Sequence, residues 1–348
     1  MTANDSSSVV SAGTSTAEVP VRHRGTSRLP RAGRMAIDFL RRFGTVTLLL
    51  VLIAFFTLAS PTFLTTGNID NLLVTQSVVT CVAFAAMFPL IVGEFDLSLG
   101  YMVGFLTIVG GFVAGHNWVT WQVYAAMIAT GLFIGFINGL LTVGFKISSF
   151  ISTLGTGIIL SGLAEGVSGG NVLFSGIPTI MVSIGRNNFL GVPVSVWFIM
   201  ALGALLMFAT EHTPFGRRLF AIGGSERVAF LAGISTNRLK VLSFVLAGLL
   251  VGIAATFELG SAGAANPTFG PDVLLPAYAA VFLGVTTYKP GNYNVIGTII
   301  AILVLAVGFN GLSLLGVPYW GQPLFNGGVL LIAVLVARSE ARHVRVSG

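Results

Sequence analysis

From residue 45 onward the chain alternates long apolar runs with short polar breaks. Ten runs stand out: 45–60, 69–92, 97–115, 119–143, 149–168, 194–210, 241–259, 273–287, 295–315 and 321–337. A membrane-spanning helix needs about 20 apolar residues, so the pattern predicts an all-α, polytopic transmembrane bundle of about ten spans. The first run is stopped by Ser60-Pro61 and the eighth is barely long enough. Both are expected to be tilted, broken or only partly spanning. Residues 1–44 are rich in Ser, Thr, Ala and Arg without an apolar period, which predicts a disordered tail before a membrane domain at 45–337, with a second short tail at 338–348.

Composition agrees with this division. Of 348 residues, 54% are hydrophobic and 9% charged, too little charged surface for a water-soluble domain of this size. The 44 glycines are spread across the spans, where small residues let helices approach closely in lipid. Gly131, Gly135 and Gly139 form consecutive G-x-x-x-G steps and Gly248 with Gly252 forms another. Spacing alone leaves open whether they pack within the chain or between subunits.

The net charge of +6 does not describe a nucleic-acid surface, because seven of the 18 basic residues precede Thr45 and three fall in the last eleven residues. The aromatic residues sit mainly inside the apolar runs, so no nucleic-acid partner is expected. The basic residues instead set orientation, since cytoplasmic flanks retain Lys and Arg. With the N-terminus inside, all 18 except Arg186 fall on the inner side, and both termini are predicted to be cytoplasmic. Cys81 is the single cysteine, and His23, His116, His212 and His343 are scattered with no HExxH. Neither a disulfide nor a metal site is expected, and no cofactor is predicted for this chain.

Two connections are long, 169–193 outside and 211–240 inside. The outer one contains Gly, Pro and Asn and can hold a short surface helix. The inner one is charged and organised. Thr213-Pro214 can open a short helix, Gly223-Gly224 can break it, and Ser225 can cap a second helix from Glu226 to Ala232 closed by Gly233. Such a helix at the inner edge can be pushed by a partner; an ordinary positive-inside loop fits the same residues.

Several polar residues stand in or beside the spans. Asp96-Leu97-Ser98 lies between two apolar runs, where Asp96 can accept backbone N–H bonds at a helix start or line a solute path. Glu94 adds a second carboxylate beside this break, and Asn138 and Asn310 are suited to interhelical hydrogen bonds or to a path. Ser149, Ser152, Thr153 and Thr156 put hydroxyls at helical spacing, suited to interhelical hydrogen bonds or to a path. No Gly-Lys dipeptide occurs, so the chain has no G-x-x-x-x-G-K-[ST] phosphate loop.

The stretch Thr213-Pro-Phe-Gly-Arg-Arg-Leu-Phe-Ala-Ile-Gly-Gly224, with Ala229 and Ala232-Gly233-Ile234, resembles the membrane subunits of bacterial ABC importers, specifically the ribose-type sugar permeases related to branched-chain amino-acid permeases. The resemblance covers about residues 40–337. Gly93-Glu94-Phe95-Asp96-Leu97-Ser98-Leu99-Gly100 is similar to that family's Gly-Gly-x-Asp-Leu-Ser-x-Gly, with Glu94 in place of a glycine. Ser149-Phe150-Ile151-Ser152-Thr153-Leu154-Gly155-Thr156 is similar to its Phe-Ile-x-Thr-Leu-Gly-Thr. Tyr288 to Asn294 departs from the family's Gly-Gly-rich inner turn.

The resemblance implies that Thr213, Pro214, Gly216, Arg217, Ala221, Gly223, Glu226, Ala229 and Gly233 belong to a segment that contacts a separate ATP-binding subunit, which hydrolyses the ATP. It implies alternating access for a small polar solute, foremost a monosaccharide, in a bacterial inner membrane. The expected partners are that ATPase, an extracytoplasmic solute-binding protein and a second permease subunit, identical or different. Glu94, Asp96, Ser98, Asn138, Phe150, Thr153 and Asn310 are the candidates for the path or for a helix break. The alternative is an ion-coupled secondary transporter using Glu94, Asp96, Glu165 or Glu258. An intramembrane enzyme has no recognisable nucleophile and base to support it.

Overall fold

A computed structural model of the chain describes residues 31–318 and 320–346, with side chains described over 44–318 and 320–335. The helices are α1 (Arg31–Ala59), α2 (Thr66–Ile91), α3 (Leu99–Gly115), α4 (Thr120–Gly139), α5 (Ser149–Ser168), α6 (Thr179–Arg186), α7 (Val194–Glu211), α8 (Pro214–Gly224), α9 (Glu226–Leu231), α10 (Thr236–Ala262), α11 (Pro271–Gly284), α12 (Val295–Leu314) and α13 (Gly321–Val346). A π-helical turn, Leu140–Gly144, extends α4. Two short antiparallel strands, β1 (Asn188–Phe189) and β2 (Val192–Pro193), form a small hairpin before α7.

Each of the ten apolar runs is a helix. Six are long and apolar enough to cross a membrane: α2, α4 with its π turn, α5, α7, α10 and α12. Shorter apolar helices lie at Gly44–Ala59, Leu99–Gly115, Pro271–Gly284 and Gly321–Leu335. The chain is therefore a polytopic helical membrane protein.

The ends differ from the sequence reading. The tail expected at 1–44 lies outside the described residues up to 30, but from Arg31 the chain is already helical and runs unbroken into the first apolar run. Pro30 precedes this helix and no proline follows before Pro61, so nothing in between breaks it. At the other end α13 continues past residue 338 to Val346, through Ala, Arg and Glu residues that favour helix.

α10 is the central helix. It packs along α4 through the glycines singled out by spacing. A Cβ on Gly131 would stand 2.5 Å from the Gly248 carbonyl oxygen, and one on Gly248 would overlap the Gly131 carbonyl oxygen. This seam is therefore internal to the chain. Gly185 of α6 meets Gly260 of α10 in the same way, so the outer connection carries its expected short helix folded onto the bundle. Arg186 donates from Nε to the Ser261 carbonyl at 2.8 Å and from Nη2 to the Ala262 carbonyl at 2.7 Å. It satisfies acceptors that the end of α10 leaves open and places positive charge at the negative end of the helix dipole.

A common arrangement occurs twice: a long helix, a non-helical stretch and a short helix. The first is α2, residues 92–98 and α3; the second is α10, residues 263–270 and α11. The second non-helical stretch is laid along α3. Ala265 stands at Gly111, the Phe269 carbonyl at Gly104 and the Gly270 carbonyl at Gly100. From Gly111 to Gly100 is about 16 Å of helix at 1.5 Å per residue. The chain thus descends well into the bundle before α11 begins, which explains why the eighth apolar run is so short. Ala265 is anchored on the way by exchanging backbone hydrogen bonds with Leu173, 2.9 and 2.7 Å.

Forcing a side chain into the α4–α10 seam should cost about 1–3 kcal/mol, as overpacking does. Gly248→Leu is expected to lower the thermal unfolding midpoint of the detergent-purified protein. Gly162→Leu, where a Cβ meets nothing within 4 Å, should leave that midpoint unchanged or raise it.

Candidate functional site

Where α2 ends, the backbone leaves helical geometry while still enclosed by protein, and its N–H groups need partners. Four side chains provide them. The N–H of Phe95 donates to Ser149 Oγ at 3.2 Å, that of Asp96 to Tyr278 Oη at 3.0 Å, that of Leu97 to Thr153 Oγ1 at 2.9 Å, and that of Ser98 to Asp96 Oδ1 at 3.0 Å. The Tyr278 hydroxyl in turn donates to the Asp96 carbonyl at 2.9 Å. Ser149 and Thr153 come from the first turns of α5, Tyr278 from the middle of α11, and Asp96 from the stretch itself. Phe95, Tyr278 and Phe282 stack beside the network, with centroids 6.2 and 6.3 Å from Tyr278.

Asp96, Ser98, Asn138 and Thr153 are fully buried. Ser98 Oγ donates to Asp96 Oδ1 at 2.6 Å and accepts from Asn138 Nδ2 at 2.8 Å, while Asn138 Nδ2 also approaches Asp96 Oδ1 at 3.4 Å. These bonds satisfy a helix break through side chains. Asp96 Oδ2 and Asn138 Oδ1, both acceptors, find no hydrogen-bond partner among the described residues. Burial raises the Asp96 carboxyl from its ordinary 3.8 to about 6, against the lowering effect of the Ser98 hydroxyl, the Ser98 N–H and Asn138. Asp96 lies in the connection between α2 and α3, outside both helices.

The inner segment is seated directly on this break. α8 opens at Pro214 with Thr213 as its cap, Thr213 Oγ1 accepting from the Gly216 N–H at 3.4 Å and donating to the Ala209 carbonyl at 2.5 Å. Gly216, Leu219 and Ile222 face the bundle, while Arg217, Arg218 and Ala221 are exposed. The break expected at Gly223-Gly224 falls one residue later. Both glycines remain in α8 and Ser225, in an extended conformation, separates it from α9. Gly223 serves a close approach instead, since a Cβ there would overlap the Ile91 carbonyl oxygen at the end of α2. Ser225 Oγ accepts from the Val228 N–H at 3.4 Å, capping α9 as expected. Ala229 is buried, and Gly233 takes the positive φ, +82°, that ends the turn.

Lys240 adds a second link. Its Nζ lies 2.9 Å from Glu94 Oε1 and 2.7 Å from Glu226 Oε2, joining the first turn of α9 and the start of α10 to the stretch before Asp96. Glu94, the residue that departs from the family pattern, is thus an ion-pair partner. Lys289, in the atypical inner turn, pairs with Glu211 at 2.6 Å. A cleft of about 570 Å³ opens beside the Lys240 bridge, lined by Glu94, Lys146, Ser149, Phe150, Glu226 and Asn237 among others.

The remaining candidates scatter. Asn310 exchanges two amide hydrogen bonds with Asn68, 3.0 and 2.9 Å, and ties α12 to α2. Phe150 is half exposed on the first turn of α5, where it borders the cleft beside Lys240. Glu165 is exposed on the same helix, and Glu258 lines a separate cavity at the opposite end of α10. Sequence reasoning missed Tyr278 and Lys240 as members of these contacts. Tyr278 is a lone phenol in an apolar helix, which is the one signal it gave; Lys240 read only as one more inner charge.

These features define a polytopic helical membrane protein with an organised polar segment clamped to one end of the bundle. The family described as branched-chain amino acid transport system / permease component matches residues 68–335, and the chain belongs to it. The ribose import permease protein RbsC of Escherichia coli (strain K12) is 33% identical over 291 residues, covering 83% of this chain and 91% of the relative. RbsC of Bacillus subtilis (strain 168) is 35% identical over 308 residues, 87% of this chain and 94% of the relative. The L-arabinose ABC transporter permease protein AraH of Azospirillum brasilense is 31% identical over 314 residues, 89% and 92% respectively. No solved structure matches the chain.

Because folded Asp96 holds its proton more tightly than an unfolded chain does, its contribution disfavours folding as pH rises from about 4 to about 6. That loss is on the order of 3 kcal/mol. Unfolding in detergent should therefore show Asp96→Asn gaining stability relative to wild type at pH 7 compared with pH 4. Asp96→Leu, which strands the Ser98 N–H and removes the acceptor of the Ser98 hydroxyl, should be destabilised at both pH values by roughly 1–3 kcal/mol. A wild-type difference that does not change with pH would refute the assignment.

Proposed function

We propose that this chain is the permease subunit of a bacterial ATP-binding cassette importer and forms the translocation path for a monosaccharide. The observation that carries the mechanism is the seating of α8 and α9 on the α2–α3 break, through Gly223 against Ile91 and through the Glu94–Lys240–Glu226 bridge. The sugar assignment rests on the relatives, whose names specify ribose and L-arabinose import.

In this reading the chain crosses the bacterial inner membrane ten times with both termini cytoplasmic, α1 to α5, α7 and α10 to α13 being the spans. The orientation is supported by the positive-inside distribution, with α8 and α9 on the cytoplasmic side and α6 outside. The chain carries no ATPase site of its own, in keeping with its lack of a phosphate loop. A separate ATP-binding subunit docks on the face that α8 and α9 turn outward, where Arg217, Arg218, Arg227, Val228, Phe230 and Leu231 are exposed. An external solute-binding protein delivers the sugar, and a second permease subunit, identical or different, completes the membrane part.

ATP-driven movement of the partner displaces α8 and α9 as one piece, because Thr213 and Ser225 fix their starts and Ala229 their packing. Gly223 and Lys240 pass that displacement to the end of α2 and to residues 92–98, whose hydrogen bonds reach α5 and α11. The bundle then shifts between outward- and inward-facing arrangements. The motor can bias that equilibrium only through different contacts in the two states.

Gly223→Val and Glu226→Gln test the seating. With the whole importer in native membranes, solute uptake and solute-stimulated ATP hydrolysis should fall about tenfold, equal to about 1.4 kcal/mol of coupling, while the amount of permease in the membrane is unchanged. Normal coupling in both variants would remove the ground for this mechanism.

A further inference from the structure

We infer that the cavity between α2, α10, α11, α12 and α13 is a binding station for a neutral, polyhydroxylated solute of monosaccharide size within the permease itself, an inference that rests on the proposed function. The cavity has a volume of about 450 Å³, within the range of small-molecule sites. It lies at the N-terminal half of α2, the C-terminal ends of α10 and α12 and the N-terminal ends of α11 and α13, which is the outer end of the bundle under the positive-inside orientation. None of the path candidates chosen from sequence lines it.

Three observations point to a ligand. The first is the backbone. Residues 263–270 descend along α3 before α11 begins, and Phe269, Asp272, Val273 and Pro276 from this segment and its helix line the cavity. Non-helical chain at membrane depth is tolerated where it is enclosed by protein or borders a polar cavity, and helices that start within the membrane recur at transport sites. The second is Asn326. It is only 6% exposed, lines the cavity, and its amide makes no hydrogen bond with another described residue. The amide is open to the cavity, where a solute hydroxyl can both donate to it and accept from it.

The third is the chemistry of the lining. Glu258 and Asp272 offer carboxylate acceptors, Gln76 and Asn326 offer amides, and Phe269 and Phe309 offer apolar faces for C–H surfaces. The side chains of these four polar residues bond no other described residue. Among the described residues no Lys or Arg lines the cavity. A solute carboxylate or phosphate would therefore meet two carboxylates and no cation, whereas the hydroxyls of a neutral sugar can donate to both. The family description mentions branched-chain amino acids, but this lining lacks the positive group that an amino-acid carboxylate requires.

Thiol protection tests this in cells that express the full chain. Cys81 is fully buried, so a membrane-impermeant maleimide should report only introduced cysteines. Thr75→Cys places one on the cavity wall, and Phe174→Cys, 72% exposed on the outer connection, serves as the reference. Ribose, L-arabinose, D-allose and xylose are the probes, with L-leucine, sodium chloride and calcium chloride as comparisons. At least one sugar should slow labelling at Thr75→Cys and leave Phe174→Cys unaffected. Adding Asn326→Leu or Glu258→Gln to Thr75→Cys should raise the protecting sugar concentration about tenfold, as expected for one or two lost hydrogen bonds, without slowing labelling in the absence of sugar.

Labelling that no sugar slows would overturn the inference, as would protection by leucine or by the salts alone, or protection that survives both second substitutions. ATP-dependent uptake of the same sugars reads the proposed function separately. Uptake without protection overturns the cavity and leaves the permease function standing, whereas protection without ATP-dependent uptake supports the cavity and counts against the importer.

Discussion

A backbone that leaves helical geometry inside a bundle must find partners for its N–H and C=O groups, because neither lipid nor a packed interior supplies water. This constraint governs residues 92–98. Ser149, Thr153, Tyr278 and Asp96 each accept one of four consecutive N–H groups, and the need for them fixes how α5 and α11 stand relative to α2 and α3. The arrangement binds four helices to one short stretch of chain. A displacement at that stretch therefore cannot remain local.

The same constraint is met differently at residues 263–270. Here α3 presents Gly100, Gly104 and Gly111, and the absence of Cβ atoms lets the non-helical backbone lie directly against the helix. The α4–α10 seam uses glycine for another purpose, the close approach of two regular helices. Glycine abundance in this chain thus serves two kinds of contact, helix with helix and helix with non-helical backbone. The second kind shortens α11 and opens the cavity beneath its first turn.

The end of the bundle that carries α8 and α9 shows how polar contacts convert an exposed segment into part of the bundle. Glu94 and Lys240 are both largely buried, with side chains 18% and 11% exposed, while Glu226 is about half exposed. The Glu94–Lys240 contact is therefore the better shielded half of the bridge, and the Glu226 half is more weakened by water and salt. The packing of Gly223 on Ile91 does not depend on ionic strength. α8 is accordingly held by shape, and α9 by charge together with the packing of buried Ala229.

Much of this protein was legible in its sequence. Apolar run length predicted all ten helices because a helix in lipid must be apolar over its whole length, and Thr213-Pro214 and Ser225 announced the starts of α8 and α9 because capping is decided within four residues. Asp96-Leu-Ser98 announced a break for the same local reason. Tertiary structure decided what local chemistry could not. Nothing near Gly223 in sequence reveals that it meets Ile91, so its glycine read as a helix breaker when it is a contact. Nothing near Tyr278 reveals that its phenol closes a break 182 residues away, and nothing near Asn326 reveals that its amide borders a cavity built from five helices. Helix formation and capping are short-range and leave a trace in neighbouring residues, whereas hydrogen bonds and close approaches between distant segments depend on where the chain returns, which one sequence read along its length does not contain.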